Sequence, residues 1–382
     1  MKQERTIVFV NSTGDTFTPT HSGAISTWIW EMCRAAAQQG IEPWVLTRSS
    51  VHAGYPWSRT IEIEYPFPPR IRGMGRLMEW ARRRRGWAHI RQGRYIGRLY
   101  RAVEQIGAER GVFVFHNDPE AAVCVKRRFP GSKVVHLFHN CNRVAERWRE
   151  SFAQTVDVVC AVSSYCARWN ESYFGCAVQT LRNGVDIHRF RPMVKRRGSA
   201  VRIGFVGRTD RQKAPDLLLR ASLKLARERK DFELQLLGSR FYGSHTEDDY
   251  QTGLRRMMDD LQSVGIQIHA PGFVNRLALP RELARADVHV VPSRWEDPCP
   301  LTVLEGMATG GACVVSRTGG VPEQVGEAAV CFERDDLDGL CHALFRLLDD
   351  EGLRGEFGRR ARKKAEERPW SAVFSDLQDA MV

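Results

Sequence analysis

Residues 201–219 read VRIGFVGRTDRQKAPDLLL. The apolar run through Val206 ends at Gly207, a polar and basic turn follows, and Pro215 opens a helix candidate. The short apolar runs FELQLLG, IQIHAPG, VHVVPS, CVVS and AVCF follow, with helix candidates between most of them. Strands that alternate with helices predict parallel pairing through crossover connections, so the second half is read as a doubly wound α/β domain.

The same rhythm runs through the first half. TIVFVN leads into the turn-forming stretch STGDTFTPTHSGA and then a helical pattern from Ile25 through Ala37, closed by Gly40. GVFVFHNDPEAAVCVKRRF, KVVHLFHN and VDVVCAVSSYCARWNESYF repeat the pattern. Residues 191–199, RPMVKRRGS, are basic, bear a proline and are poor in apolar residues, as a linker is. The expected domains are therefore 1–192 and 200–367, both α/β.

Composition narrows the class. A chain of 382 residues is long enough for two domains, each with its own core. No apolar run approaches the roughly 20 residues of a membrane span, and the polar start before IVFV does not read as a secretory signal. A cytosolic location is expected. The ten cysteines show no CxxC pair and no zinc spacing, so reduced, buried thiols and no metal site are expected. A net charge of +12 favours an anionic surface or ligand. Arg70 to Arg101 is the most basic stretch and carries Trp80 and Trp87, which fits either an anionic membrane surface or a solvated helix face. It holds no base-reading motif, so nucleic acid is not an expected partner.

Several loops at strand ends carry candidate chemistry. Gly23 stands just before a helix, where a backbone amide can meet a phosphate. Arg208 and Lys213 follow Gly207 at the mouth of a strand, turn and helix, placed to neutralise a diphosphate. In SRWEDPCPLTVLEGMATGG, residues 293–311, the prolines fix the loop, and a helix begins around Thr302 and Val303 with amides open to anions. Glu305 lies in its first turns, and Gly306, Gly310 and Gly311 are expected to leave space for a ligand. Gly319 and Gly320 allow a close turn before Glu323.

Read together and in order, RNGVD at 182–186, GRTDRQKAPDLLL, APGFV and VPSRWEDPCPLTVLEGMATGGACVVSRTGGVPE resemble the nucleotide-sugar glycosyltransferases of the GT-B fold, retaining family 4, also called glycosyl transferases group 1. The likeness is close in the second half and loose in the first. It implies two Rossmann-like domains facing across a cleft, the donor held by the second and the acceptor by the first, with no metal and no cofactor. The final ERPWSAVFSDLQ resembles the helix that in this fold packs back on the first domain, residues 368–382, with Trp370 and Phe374 on one face.

Position by position, the resemblance implies that Arg208 and Lys213 bind the donor diphosphate, that Glu305 binds the ribose hydroxyls, and that His139 contacts the donor sugar. Gly207, Asn183, Thr302 and Val303 fall in the donor loops, and Gly23 with Ala24 stands where the family has paired glycines. His116 and Asn117 end another strand and are candidates for contact with acceptor or donor. His136, on the opposite side of its strand from His139, is read as structural. Two positions depart from the family. Counting back from Glu305 over the seven residues PCPLTVL lands on Asp297 where a glutamate is usual, with Glu296 one residue too early, and Ala24 replaces a glycine.

The function implied is retaining transfer of a sugar from a nucleotide diphosphate sugar to a hydroxyl. A glycan or lipid-linked acceptor in cell-surface polysaccharide or glycolipid assembly would account for the basic first domain, with the enzyme peripheral on the inner face of the plasma membrane. The alternatives are a degenerate relative that binds glycan or nucleotide without turnover, and an enzyme of the same fold that modifies the nucleotide sugar itself.

Overall fold

The computed structural model describes residues 5–20, 23–50, 52, 54–55, 58–64, 86–141, 143–193, 200–240 and 248–382, without the side chains of 86–92. The chain divides into two compact units. The first comprises Met1–Ala161, Ala167–Gln179 and Phe374–Val382, and the second Val162–Cys166 and Thr180–Val373.

The elements of the first half are β1 (Ile7–Val10), α1 (Ala24–Gln38), β2 (Trp44–Arg48), β3 (Arg59–Ile63), α2 (Gly86–Ile106), β4 (Val112–His116), α3 (Pro119–Arg128), β5 (Lys133–Phe138), α4 (Glu146–Thr155), β6 (Val158–Ala161), α5 (Ser164–Phe174) and β7 (Gln179–Thr180). Their sheet has the order β3-β2-β1-β4-β5-β6-β7, and the pairs from β3 through β6 are parallel. Strand β4, VFVFH, is buried at every position, as a parallel strand covered on both faces must be. Helix α3 starts where the sequence dictates: Asp118 accepts from the amide of Ala121 at 3.0 Å, Pro119 follows, and Lys126 to Arg128 fill the last turn.

The basic stretch falls partly outside the described residues, which exclude Leu77, Trp80 and the side chains of Trp87 and Ile90. From residue 93 onward the apolar side of α2 is committed to the core. Tyr95, Ile96, Leu99, Ala102 and Val103 pack with Val8, Phe113 and Phe115 of the sheet. The arginines take the other side: Arg94 is exposed, and Arg98 pairs with Glu64 at 2.9 Å. This part of the stretch is therefore a solvated helix face. Among the described residues no helix is long and apolar enough to cross a membrane.

The second half contains β8 (Val201–Val206), α6 (Pro215–Leu225), β9 (Phe232–Leu237), α7 (Asp249–Ser263), β10 (Gln267–Gly272), α8 (Leu279–Leu283), β11 (Val288–Val291), α9 (Leu301–Ala308), β12 (Ala312–Ser316), α10 (Val321–Val325), β13 (Val330–Phe332), α11 (Leu337–Asp349), α12 (Glu351–Glu366) and α13 (Trp370–Met381). The sheet order is β10-β9-β8-β11-β12-β13, with parallel pairing throughout. Successive residues feed opposite faces: Val288 and Val290 join Ile203, Leu217 and Leu344 in one core, while Val291 joins Val303, Met307 and Ala361 in the other.

The chain enters the second unit at Thr180, ahead of the basic linker that composition predicts. Apolar anchors set this boundary: Val185 and Phe190 are buried in the second unit's core, and Arg362 donates to the carbonyls of Ile187 and Phe190 at 3.2 and 2.8 Å. At the other end, Phe374–Val382 of α13 belongs with the first unit, where Gln378 donates to Gln39 at 2.9 Å.

At Gly238 the backbone itself demands glycine. Its φ is +139°, and an added Cβ would lie 1.8 Å from the carbonyl oxygen of Gly207. Gly238→Ala must push β8 and β9 apart at the ends that carry the candidate site, so a loss of about 3 kcal/mol or more is expected in denaturant unfolding. A variant as stable as the native chain would show that the close approach is not a constraint.

Candidate active site

In both sheets the strand order reverses beside the first strand of the unit, between β1 and β4 and between β8 and β11. Ligands of open α/β sheets bind beyond the carboxyl ends of strands at such points. The candidate residues lie there.

In the second unit the turn after β8 is organised by Asp210. Its carboxylate accepts from the amide of Lys213 at 3.0 Å, and its carbonyl accepts from the amide of Ala214. Ala214 is thereby held in the left-handed region, at φ 53°. Arg208 sits at the mouth, 3.0 Å from Asp210 and donating to Gln212 at 3.1 Å. Lys213 points the other way and is paired with Asp297 through its Nζ and Oδ2.

Asp297 is buried, whereas Glu296 is directed elsewhere. Glu296 accepts from the amide of Gly319 at 2.6 Å and from Arg334 at 2.5 Å. Gly319 has φ +53°, and a Cβ there would approach the Asp297 carbonyl to 2.4 Å, so the paired glycines do allow the close turn. These bonds fix the loop register and leave Asp297, not Glu296, beside Lys213.

Helix α9 begins at Leu301, one residue before the expected Thr302, and no side chain caps it. The Val303 amide is not open to an anion, contrary to expectation: it donates to the Pro300 carbonyl at 3.2 Å, and its side chain is buried. Thr302 is half-buried. Asn183 secures the preceding turn by donating to the Cys299 carbonyl at 2.9 Å, while its Oδ1 is buried without a partner among the described residues. Burial pushes the Cys299 thiol up to about 12, which removes it as a nucleophile at neutral pH.

Glu305 is 3% exposed. One carboxylate oxygen accepts from Arg276 at 2.6 Å, and Oε2 has no hydrogen-bond partner among the described residues. Arg276 also lies over the ring of Phe190, 5.4 Å from its centroid. An enclosed carboxylate oxygen held in place by a cation on its sibling oxygen is an acceptor awaiting a donor such as a hydroxyl.

The nearby glycines serve packing instead of a ligand, which corrects the sequence reading. A Cβ on Gly306 or Gly311 would meet the ring of His289 at 3.0 or 2.6 Å, and one on Gly310 would meet Pro192 at 3.1 Å. His289 itself is buried and bonded to Thr309 at 2.8 Å.

Sequence reasoning also missed the clamp behind the site. Arg294 grips Asp216 through two bonds of 2.7 Å, Tyr250 donates to the same carboxylate at 2.5 Å, and Arg294 further pairs with Asp335. Burial works to raise the pKa of Asp216, but the bonds from Arg294 and Tyr250 outweigh it and leave it lowered. The clamp ties the start of α6 to the loop after β11. Nothing local in the sequence signals it.

In the first unit, Asp15 occupies the place expected for an anion. Both its carboxylate oxygens accept from the Gly23 amide, at 3.0 and 2.9 Å, and Ser26 donates to it at 2.8 Å. The Gly23 amide, beside Ala24 at the start of α1, thus carries an internal carboxylate and not an open phosphate site. Burial raises the pKa of Asp15 against these bonds.

At the ends of β4 and β5 two histidines meet: His116 Nδ1 and His139 Nε2 are 2.9 Å apart. Trp28 packs edge-on to both rings at 5.0 and 6.0 Å. Asn117, at φ 53°, accepts from the His139 amide at 2.8 Å. His116 is 1% exposed and His139 is half-buried. His116, expected from its place at a strand end to contact acceptor or donor, is almost fully enclosed and meets His139 instead. His136 packs on the other side against Phe138 and Phe152, as a core residue does.

Two units, each a parallel Rossmann-like sheet with polar loops at its switch point, are the architecture of the GT-B glycosyltransferases. The whole chain shares this fold with sucrose-phosphate synthase from Thermosynechococcus elongatus, at a TM-score of 0.77 and 18% identity over 98% of both chains. It shares it also with Anabaena HepE in complex with UDP-glucose, at 0.71 and 14% over 98% of both. The family description "Glycosyl transferases group 1" matches residues 200–350 and "Glycosyltransferase Family 4" matches residues 25–189, and the chain belongs to this glycosyltransferase family. Among its relatives, spore coat protein SA of Bacillus subtilis is 24% identical over 76% of this chain and 82% of its own. The phosphatidyl-myo-inositol mannosyltransferase of Mycolicibacterium smegmatis is 28% identical over 57% and 55%.

The buried histidines have a consequence for stability. Burial lowers His136 and His139 to about 3 and takes His116 well below its usual value. Above pH 6.5 both folded and unfolded chains hold them neutral. As the pH falls from 6.5 toward 3, only the unfolded chain takes up these protons, so stability is lost through that window. His136→Phe should lose less stability than the native chain between pH 7 and 5, by up to about 1.4 kcal/mol per pH unit. Equal losses in thermal unfolding at the two pH values would contradict a buried neutral His136.

Proposed function

We propose that the enzyme transfers a hexose from a nucleotide diphosphate sugar to a hydroxyl acceptor with retention of configuration and without a metal. The observation that carries this reading is the enclosed Glu305, its Oε2 unpartnered among the described residues, on the helix whose uncapped start follows Asp297, the partner of Lys213 from the loop after β8. In this reading Glu305 binds the ribose hydroxyls. Arg208, Lys213 and the first amides of α9 receive the diphosphate, and Asp297 accepts from a sugar hydroxyl while Lys213 turns to phosphate.

The acceptor oxygen approaches the anomeric carbon from the side on which the diphosphate leaves, and the departing phosphate oxygen takes the acceptor proton. His139 donates to a hydroxyl of the donor sugar. No protein nucleophile takes part. The acceptor is a glycan or lipid-linked sugar in cell-surface assembly, handled by an enzyme that works in the cytoplasm at the membrane surface. In support, relatives carry the names phosphatidyl-myo-inositol mannosyltransferase and D-inositol 3-phosphate glycosyltransferase, and the neighbour HepE is described with UDP and with UDP-glucose.

A thermal-shift panel of UDP, GDP, ADP and their common sugar conjugates tests the donor. A ligand at 100 times its Kd stabilises the native state by about 2.7 kcal/mol, so one nucleotide should raise the melting point by several degrees. Glu305→Ala and Lys213→Ala should each abolish or greatly weaken that shift. No shift with any nucleotide, alongside binding of a glycan, would favour a binding protein without turnover; conversion of the nucleotide sugar without an acceptor would favour an enzyme that modifies it.

A further inference from the structure

We propose that His116 is a positioning residue that holds His139 in the tautomer with its proton on Nδ1, so that His139 presents a hydrogen-bond donor to its ligand. The 2.9 Å contact between His116 Nδ1 and His139 Nε2 needs one proton between the two nitrogens. Burial favours the neutral form of both rings. Each ring then has one proton, and the contact has two possible senses.

The far side of His116 decides between them. Its Nε2 is buried and has no partner among the described residues, enclosed with Phe9 and Trp28 against its ring. If His139 donated, His116 would carry its own proton on that enclosed nitrogen, leaving an N–H with nothing to accept it. Buried orphan N–H groups are the rarer and more costly kind, whereas a bare ring lone pair is the milder defect. His116 therefore donates from Nδ1, and His139 accepts at Nε2.

A neutral His139 that accepts at Nε2 must carry its proton on Nδ1. His116 is 1% exposed, and His139 is the half-buried member of the pair. The bond from the His139 amide to Asn117 Oδ1 fixes the backbone, and Trp28 edges the ring, so ring orientation and tautomer are both set from within. His139 then has, on the nitrogen that does not meet His116, an N–H donor suited to a sugar hydroxyl oxygen. The assignment of that partner rests on the proposed donor-sugar role of His139; the tautomer does not.

The experiment has two independent readouts. Nitrogen-15 NMR of histidine-labelled protein, with the His139 signals identified by their loss in His139→Gln, should show a neutral ring protonated at Nδ1 and bare at Nε2. A ring protonated at Nε2 would overturn the proposal whatever the kinetics. Affinities for UDP and UDP-glucose, or for the pair that the nucleotide panel selects, give the second readout. His116→Phe should weaken the nucleotide sugar about tenfold, the worth of one hydrogen bond, and leave the bare diphosphate unchanged. His116→Asn, which retains a donor near the Nδ1 position, should restore most of the loss, and His116→Gln should not. Equal weakening of both ligands in His116→Phe would reduce His116 to packing and sink the positioning role. If His116→Phe does not fold, the tautomer of the native protein and the Asn and Gln variants still decide it. Failure of the functional reading looks different: no nucleotide sugar binds the native protein at all, while the tautomer is still read directly.

Discussion

The candidate site of the second unit depends on the pairing of β8 with β11. Val288 lies opposite Ile203 and His289 opposite Gly204, which brings the loop that follows each strand to the same edge of the sheet. The parallel direction is essential here, since an antiparallel neighbour would send its following loop to the far edge. Lys213 and Asp297 are ion-pair partners because of that register, and so are Asp216 and Arg294. Each pair bridges the two loops. The strand pairing places the loops, and the pairs fix how they lie.

A second constraint concerns charge. The cations that could receive an anion are already engaged: Arg208 with Asp210, Lys213 with Asp297, Arg276 with Glu305. A partly buried cation left alone would carry a desolvation penalty, and pairing it with a fixed carboxylate removes most of that penalty while holding its position. An incoming anion then competes with a carboxylate for a cation already in place. Asp297 suits such an exchange because it pairs with Lys213 at a single oxygen. The clamp between Arg294 and Asp216 uses both oxygens and both terminal nitrogens, and is built to stay.

The alternation of strand, turn and helix was legible because parallel strands covered on both faces read as short apolar runs, and because Gly207 and Pro215 punctuate the chain where the structure turns. The order of motifs from Arg208 to Asp297 was legible because they sit in loops, where side-chain type is not dictated by packing, and Glu305 follows them in the helix that the last loop opens. What escaped the sequence was tertiary. Gly306 and Gly311 read as space for a ligand, yet the space belongs to His289, a residue far from both in sequence. Gly23 read as an open amide, but Asp15 folds back onto it. The boundary between units read as a basic linker, whereas buried Val185 and Phe190 commit the chain to the second unit earlier. In each case a local pattern was correct about the backbone and silent about which distant side chain fills the place it creates.

The two units also differ in the kind of polar group each offers. The second unit's loops hold full charges in compensated pairs. The first unit's strand ends add neutral groups to the carboxylates of Asp15 and Asp118: His116 and His139, kept neutral by burial, and Asn117 and Asn11, the last bonded to Ser26 and Thr47 at 3.0 and 3.1 Å. Phosphate recognition needs cations that can face a double negative charge. Recognition of sugar hydroxyls needs donors and acceptors of fixed direction, which a neutral ring nitrogen can supply as well as a carboxylate. Neutral histidines in a low-dielectric setting keep that direction only while something sets their tautomer. A buried ring whose far nitrogen cannot tolerate a proton is one way for a fold to set it, and the surrounding Phe9 and Trp28 supply that intolerance through packing alone.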